Sequence, residues 1–366
     1  MSLDYRNPKL ILDTSDHPQG SVTWVSPSNL AIVKYWGKHG RQLPRNPSIS
    51  LTLDHAATTT TLHYHRREEV GGEPVSLELF FAGHPAPDFA RRIKAYLQSI
   101  LEIYPFLGQL HLVMHTDNSF PHSSGIASSA SAMSALTLGL CSLERHFFDT
   151  LDDSSAFLQK ASYLARLASG SASRSVYPWM AAWGQHGDIE GSSDEYAVPF
   201  GDRLHPSFRT IRNAILIVSS GTKAVSSSAG HELMDTHPYA PTRYIQAGQR
   251  LSRLIPALEQ GDWATFGQIA ENEALTLHAL MMASNPSYIL MKPGSLALID
   301  RIRTFRQETG YSVYFSLDAG PNLHVLYPED QAEAVEAFLH QECIPLCEEE
   351  YWIADRAGEG PREIIG

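Results

Sequence analysis

Apolar and polar positions follow two different periods along this chain, and the switches between them mark out its elements. Residues 21–36, SVTWVSPSNLAIVKYW, alternate toward an apolar strand that Ser26-Pro27-Ser28 interrupts as a bulge or turn would. Ser48–Asp54 and Thr58–His65 alternate and are rich in β-branched residues, which predicts two further strands. Val75–Phe81 predicts another, ending at Ala82-Gly83. From Asp88 the repeat turns helical, with Phe89, Ile93, Tyr96, Leu97, Ile100 and Leu101 on one stripe, and Leu110–His115 returns to strand. Helices are predicted over Ser128–Phe148 and Asp153–Ala168, the second entered through Asp152 or Asp153 as an N-cap.

Gly184–Tyr196 is rich in Gly, Ser and acidic residues and reads as a loop, which places a domain boundary near residue 200. Beyond it, Ile211–Val218 predicts a buried strand, and Pro241–Glu259, Trp263–Met282 and Pro293–Thr309 predict helices. Val313–Leu317 and Leu323–Tyr327 predict two strands, followed by a helix over Asp330–Gln341. Strands with segregated helices in both halves predict an α+β fold in two units, residues 1–200 and 201–366.

The charge balance, 28 basic against 40 acidic residues for a net −12, speaks against a nucleic-acid or anionic-membrane partner. An anionic substrate would therefore have to be met by a few locally placed cations. Cys141, Cys343 and Cys347 form neither an even disulfide set nor a zinc-binding pattern, which predicts a reduced, cytoplasmic setting. No apolar run reaches signal-peptide or membrane-span length.

The segment Pro121-His-Ser-Ser-Gly-Ile-Ala-Ser-Ser-Ala130 runs small residues straight into a helix. Backbone N–H groups free of bulky side chains, the partial positive charge of a helix N-terminus and several hydroxyls together make an anion cradle. A Ser-rich cap with close helix packing gives the same composition. There is no GK[ST] as in a Walker A loop and no GxGxxG.

This segment is similar to the phosphate loop of GHMP kinases. Three others, Asn29-Leu-Ala-Ile-Val-Lys-Tyr-Trp-Gly-Lys38, Ser169-Gly-Ser-Ala-Ser-Arg-Ser175 and Asp318-Ala-Gly-Pro-Asn322, resemble the signature elements of the mevalonate diphosphate decarboxylase family, in the same order. The resemblance runs from about Ser21 to Pro361. It implies a lobe like ribosomal protein S5 domain 2 joined to a ferredoxin-like lobe, with ATP and Mg²⁺ as cofactors. The implied reaction phosphorylates the tertiary 3-hydroxyl of mevalonate 5-diphosphate, then releases phosphate and CO₂ to give isopentenyl diphosphate.

Each matched residue then answers a chemical need. Asp318 would orient the poorly nucleophilic tertiary hydroxyl and accept its proton. Lys34, an ammonium within an otherwise apolar strand, would pair with Asp318 and touch the transferring phosphoryl group. Arg174 offers a planar fork to the substrate carboxylate, with Ser169 and Ser171 beside it. Tyr35, Trp36 and Lys38 would wall the site and hold the substrate phosphates, to which Ser227 adds a looser match. Asn29, Ser124, Gly125, Ala127, Ser128 and Ser129 are assigned to ATP, and Ser129 also to Mg²⁺.

Two positions depart from the pattern: Ser228, where some members carry a basic residue, and Ser173, where Cys is common. The first leaves a 5-monophosphate substrate open as a rival. A mevalonate 3-kinase is disfavoured because Lys34, Arg174 and Asp318 are all present, and so is a non-catalytic nucleotide binder. The resemblance admits a homodimer. His63 and His65 fit an exposed strand face better than a metal site, and the apolar positions of Leu275–Met282 fit helix packing.

Overall fold

The computed structural model describes residues 4–365 apart from 16, 69–71, 122–125, 127 and 222–226, and the side chains of 227 and 228. A first sheet is built on two long strands, β1 (Gln19–Val33) and β2 (Ser48–Arg66), with β3 (Ser76–Phe81) and β4 (Leu110–Asn118). Three short strands join it: β5 (Met180–Trp183), β6 (Ala197–Pro199) and, from the far end of the chain, β11 (Arg362–Ile364). The order is β11-β1-β2-β4-β3, ending in the two-residue strand His84–Pro85, while β5 pairs with the first part of β2 and carries β6. Only β3 and β4 run parallel among these pairs.

The predicted interruption at Ser26-Pro27-Ser28 is a register shift in β1 between Pro27 and Asn29, and the strand continues through it. The two strands expected over 48–65 are one. Across from the shift, β2 bulges: Thr52 pairs with Asn29 and Ala57 with Pro27, which leaves the backbone of 53–56 outside the β1 ladder. Those amides find another partner. The buried carboxylate of Asp355 accepts from Asp54 and His55 at 2.9 Å and from Ala56 at 2.8 Å, so β2 stays continuous.

One face of this sheet is covered by α1 (Pro87–Ser99), α2 (Ser128–Phe148) and α3 (Ser154–Ala168). α2 is buried nearly all round, and its small residues let it lie close on the strands. Hydroxyls stitch the contact: Trp24 Nε1 donates to Ser142 at 2.9 Å, and Ser26 to Ser134 at 2.7 Å. The Asp153 carboxylate accepts from the Ala156 amide and caps α3 as expected.

The second sheet has the order β8-β9-β7-β10, all antiparallel: β7 (Arg212–Leu216), β8 (Tyr314–Ser316), β9 (Leu323–Tyr327) and β10 (Trp352–Arg356). Four more helices matter for the site: α4 (Ser227–Leu233), α5 (Ala240–Gln260), α6 (Trp263–Met282) and α7 (Pro293–Thr309). The helix expected over 330–341 is broken into a 3₁₀ turn, α8 (Ala332–Phe338) and a π-helical turn over Leu339–Cys343. A core of Leu30, Ile32, Ile49, Leu251, Phe266 and Ile269 joins the buried half of β1 and β2 to α5 and α6. That packing brings the C-terminal end of β1 against the helices of the second sheet, where the predicted site residues converge.

Candidate active site

Two adjoining cavities open here, one of about 360 Å³ between elements of the two sheets and one of about 500 Å³ lined by β3, β4, α1 and α2. Asn29, Lys34, Tyr35, Trp36, Lys38, Ser169, Ser171, Arg174 and Asp318 all line the smaller. Ser128 lines the larger, and Ser129 lines both. Ser124, Gly125 and Ala127 lie outside the described residues, as does the side chain of Ser227, whose backbone opens α4.

Lys34 is the residue after β1, and its side chain is 2% exposed. An ammonium so deep needs partners. Its Nζ donates to Asp318 Oδ1 at 2.8 Å and to Ser316 Oγ at 2.9 Å. Asp318 follows β8 at a tight turn in which the Gly320 amide returns to its carbonyl at 2.7 Å, and its carboxylate is 24% exposed on the cavity side. The rest of that turn is tied down by Asn322, whose Oδ1 accepts from the amides of Val218 and Ser219.

Arg174 emerges from the 3₁₀ turn Gly170–Arg174 that follows α3. It is buried, donates to Ser48 Oγ and, at 3.4 Å, to Asn29 Oδ1, and packs toward the Trp183 ring. Burial lowers its pKa to about 10, against the opposing pull of Asp318 and Tyr35, so it is fully cationic at neutral pH. Its buried Nε has no hydrogen-bond partner among the described residues. Asn29 is oriented for this arrangement by donating to Ser175 Oγ at 2.8 Å and Ser171 O at 3.1 Å. Ser169 and Ser171 are half-buried on the same wall.

Aromatic stacking sets the opposite wall. The His231 ring, on α4, lies 4.2 Å from Tyr35 and 4.7 Å from Trp36, and its Nδ1 accepts from the Gly37 amide at 3.0 Å. Burial, with Lys38 and Arg174 nearby, depresses the His231 pKa to about 3, which keeps that nitrogen an acceptor. Gly37 has φ +90°, and a Cβ on Gly230 would drive into the Trp36 ring, so both glycines are required where they stand. The Tyr35 hydroxyl is buried without a partner among the described residues, and burial raises its pKa.

Ser129 stands in the first turn of α2, exposed to both cavities, and that turn carries no acidic residue. Ser128 and Ser129 thus bring hydroxyls of this first turn to the cavities, donors of the kind polyphosphate oxygens take. Among the described residues no group of three or more His, Cys, Asp or Glu could hold a metal. Sequence reasoning passed over Arg92 and Phe89, which line both cavities from α1, His231, which lines the smaller, and His278 and Asn46 behind the walls. The α1 stripe gave the first two a helix but no ligand. His63 and His65 lie on the exposed face of β2 as expected.

A family model for the diphosphomevalonate decarboxylase-like N-terminal domain matches residues 26–197, and one for the mevalonate 5-diphosphate decarboxylase C-terminal domain matches residues 213–361. Diphosphomevalonate decarboxylase from Aspergillus fumigatus is 30% identical over 336 residues, 88% of this chain and 80% of the relative. Mevalonate diphosphate decarboxylase from Staphylococcus aureus superposes with a TM-score of 0.77 at 25% identity, over 95% of this chain and 99% of that one. A structure described as MDDEF in complex with MVAPP, AMPPCP and magnesium gives 0.78 at 25% identity, over 95% and 99%. Fold and cleft together thus define a two-lobed α+β enzyme of the GHMP kinase class. The chain belongs to the diphosphomevalonate decarboxylase family.

Proposed function

We propose that the cleft carries out the ATP-dependent decarboxylation of mevalonate 5-diphosphate and that the residues gathered there divide the work. The observation that carries this is the juxtaposition, in one cavity, of the Lys34–Asp318 pair at 2.8 Å with the buried, incompletely bonded guanidinium of Arg174. Support also comes from the similar protein solved with MVAPP, AMPPCP and magnesium.

In this reading the substrate carboxylate docks on Arg174, with Ser169 and Ser171 alongside. The 3-hydroxyl then faces Asp318. Its oxygen attacks the γ-phosphorus, ADP leaves, and the proton passes to the Asp318 carboxylate. Lys34, held against Asp318, keeps that carboxylate charged and stands beside the phosphoryl oxygens. The 3-phosphate makes the tertiary oxygen a leaving group. As it departs with its bonding pair, the bond to the carboxylate carbon breaks, CO₂ is released and that electron pair forms the double bond of isopentenyl diphosphate.

Lys38, with Tyr35, Trp36 and Ser227, would receive the 5-diphosphate. The larger cavity, rimmed by Phe81, Phe89 and Asn118, would receive the nucleoside, with its phosphates reaching Ser128 and Ser129 at the shared edge. ATP-bound Mg²⁺ would neutralise phosphate charge, and the Ser129 hydroxyl would be among its ligands. Three buried free cysteines support a reducing, cytoplasmic setting, and no described helix is long and apolar enough to cross a membrane. The two family-model matches support a division near residue 200, with β11 returning to β1.

The test is turnover. Purified protein with ATP and Mg²⁺ is given mevalonate, its 5-phosphate or its 5-diphosphate, while ADP and CO₂ are followed. Equal ADP and CO₂ from the diphosphate is expected. Efficient turnover of the monophosphate alone would move the assignment to that substrate, and ADP without CO₂ would make the protein a kinase.

A further inference from the structure

We propose that Glu273 and His278, five residues apart on α6, are positioning residues that fix the separation of Lys34 and Asp318 from behind the cleft; this rests on the reading of Asp318 given above. Lys34 is delivered by β1 and Asp318 by the loop after β8, which belong to different sheets. Their ion pair ties only the side-chain ends together. α6 ties the backbones. Glu273 Oε2 accepts the Lys34 amide at 2.8 Å, and His278 Nε2 donates to the Asp318 carbonyl at 3.1 Å. Five residues of helix separate the two contacts by about 7.5 Å along a rigid axis.

Neither residue lines the cavity, where α6 contributes Leu277. Both are nonetheless held firmly. The Glu273 carboxylate is 0% exposed and receives Arg243 on both oxygens at 2.6 Å and Arg250 on Oε1 at 2.6 Å. Burial works against its charge, yet the two guanidiniums outweigh it and the pKa lies below the usual carboxylate value. Arg243 also donates to the Lys34 carbonyl at 3.1 Å, as does Asn46 at 3.0 Å, so the Lys34 peptide is gripped at both its N–H and C=O. His278 is 1% exposed, and burial lowers its pKa to about 4, so near pH 7 it is a neutral imidazole whose proton must sit on Nε2 to meet a carbonyl.

One helix thus carries a gauge for the two groups that face the reacting hydroxyl. Misplacing a reacting group by an ångström can cost about 100-fold in rate, while a clamp outside the cavity leaves ligand binding alone. The two effects therefore separate in kinetics.

The experiment compares His278→Gln, which keeps a donor at the reach of Nε2, with His278→Met, which fills the space without a donor. Initial rates of ADP and CO₂ release are measured with ATP and mevalonate 5-diphosphate varied in turn. His278→Met should lose about 10- to 100-fold in kcat, with both KM values within about threefold, and His278→Gln should recover most of the loss. Should His278→Met fail to fold, His278→Asn replaces it, because its amide is too short to reach the carbonyl. Parent kcat in the donor-less variant, or equal losses in the Gln variant, would overturn the clamp. In either case inactivity of Asp318→Asn would still sustain the function, whereas an active Asp318→Asn would take the function reading with it.

Discussion

The Lys34 ammonium and the Asp318 carboxylate, 284 residues apart in the chain, meet at 2.8 Å at the mouth of a cavity. One partner is 2% exposed and the other 24%, so the pair is anchored on the lysine side and open on the side where a substrate enters. Removing one member of a buried pair leaves the other uncompensated. The variants that follow are therefore chosen to keep shape wherever they can.

Ser129→Ala should damage the use of ATP before anything else. Ser129 is exposed in the first turn of α2 at the edge shared by both cavities, so its removal costs little stability. Losing one oriented polar contact to a phosphoryl group or its metal should slow turnover about ten- to a thousandfold. Steady-state rates against ATP concentration check this, and an unchanged rate and ATP dependence would take Ser129 out of the site.

Acid should destabilise the fold through its buried histidines. Burial holds His278 and His324 at a pKa of about 4 and His231 at about 3, against 6.5 for an ordinary imidazole. The unfolded chain binds protons in this window that the folded chain refuses, so stability is complete above pH 6.5 and falls as the pH drops toward 4. Each histidine contributes a slope of up to about 1.4 kcal/mol per pH unit there. Urea unfolding at about pH 5 should show a clearly lower midpoint than at about pH 7.5, with little change from pH 7 to 8. Equal midpoints at pH 5 and 7.5 would mean that these imidazoles are protonated in the fold.

Much of this architecture was legible because its signals are local. The helices Ser128–Phe148, Trp263–Met282 and Pro293–Thr309 and the strand Leu323–Tyr327 were read with their observed bounds. What failed was non-local. β2 looked like two strands because its polar kink at Asp54–His55 is healed by Asp355, some 300 residues away. β10 and β11 are short and rich in charge, and they are strands only because β7 and β1 offer them an edge. The same holds for the site. Motif resemblance brought Lys34, Arg174 and Asp318 forward, but α6 read as a packing helix, and nothing in its pattern announced that Glu273 and His278 face the backbones of Lys34 and Asp318.

The most direct test of the account is Asp318→Asn, measured as ADP and CO₂ release from ATP and mevalonate 5-diphosphate. The amide keeps the shape of the turn but cannot take the hydroxyl proton. Both products should fall together by about 10²- to 10⁴-fold, because elimination needs the 3-phosphate that the blocked first step would have made. Binding of the diphosphate should change far less, since Lys38 and Arg174 are untouched. A folded Asn variant that releases ADP and CO₂ at near-parent rates would contradict the assignment, and Asp318 would then be no more than a turn residue paired with Lys34.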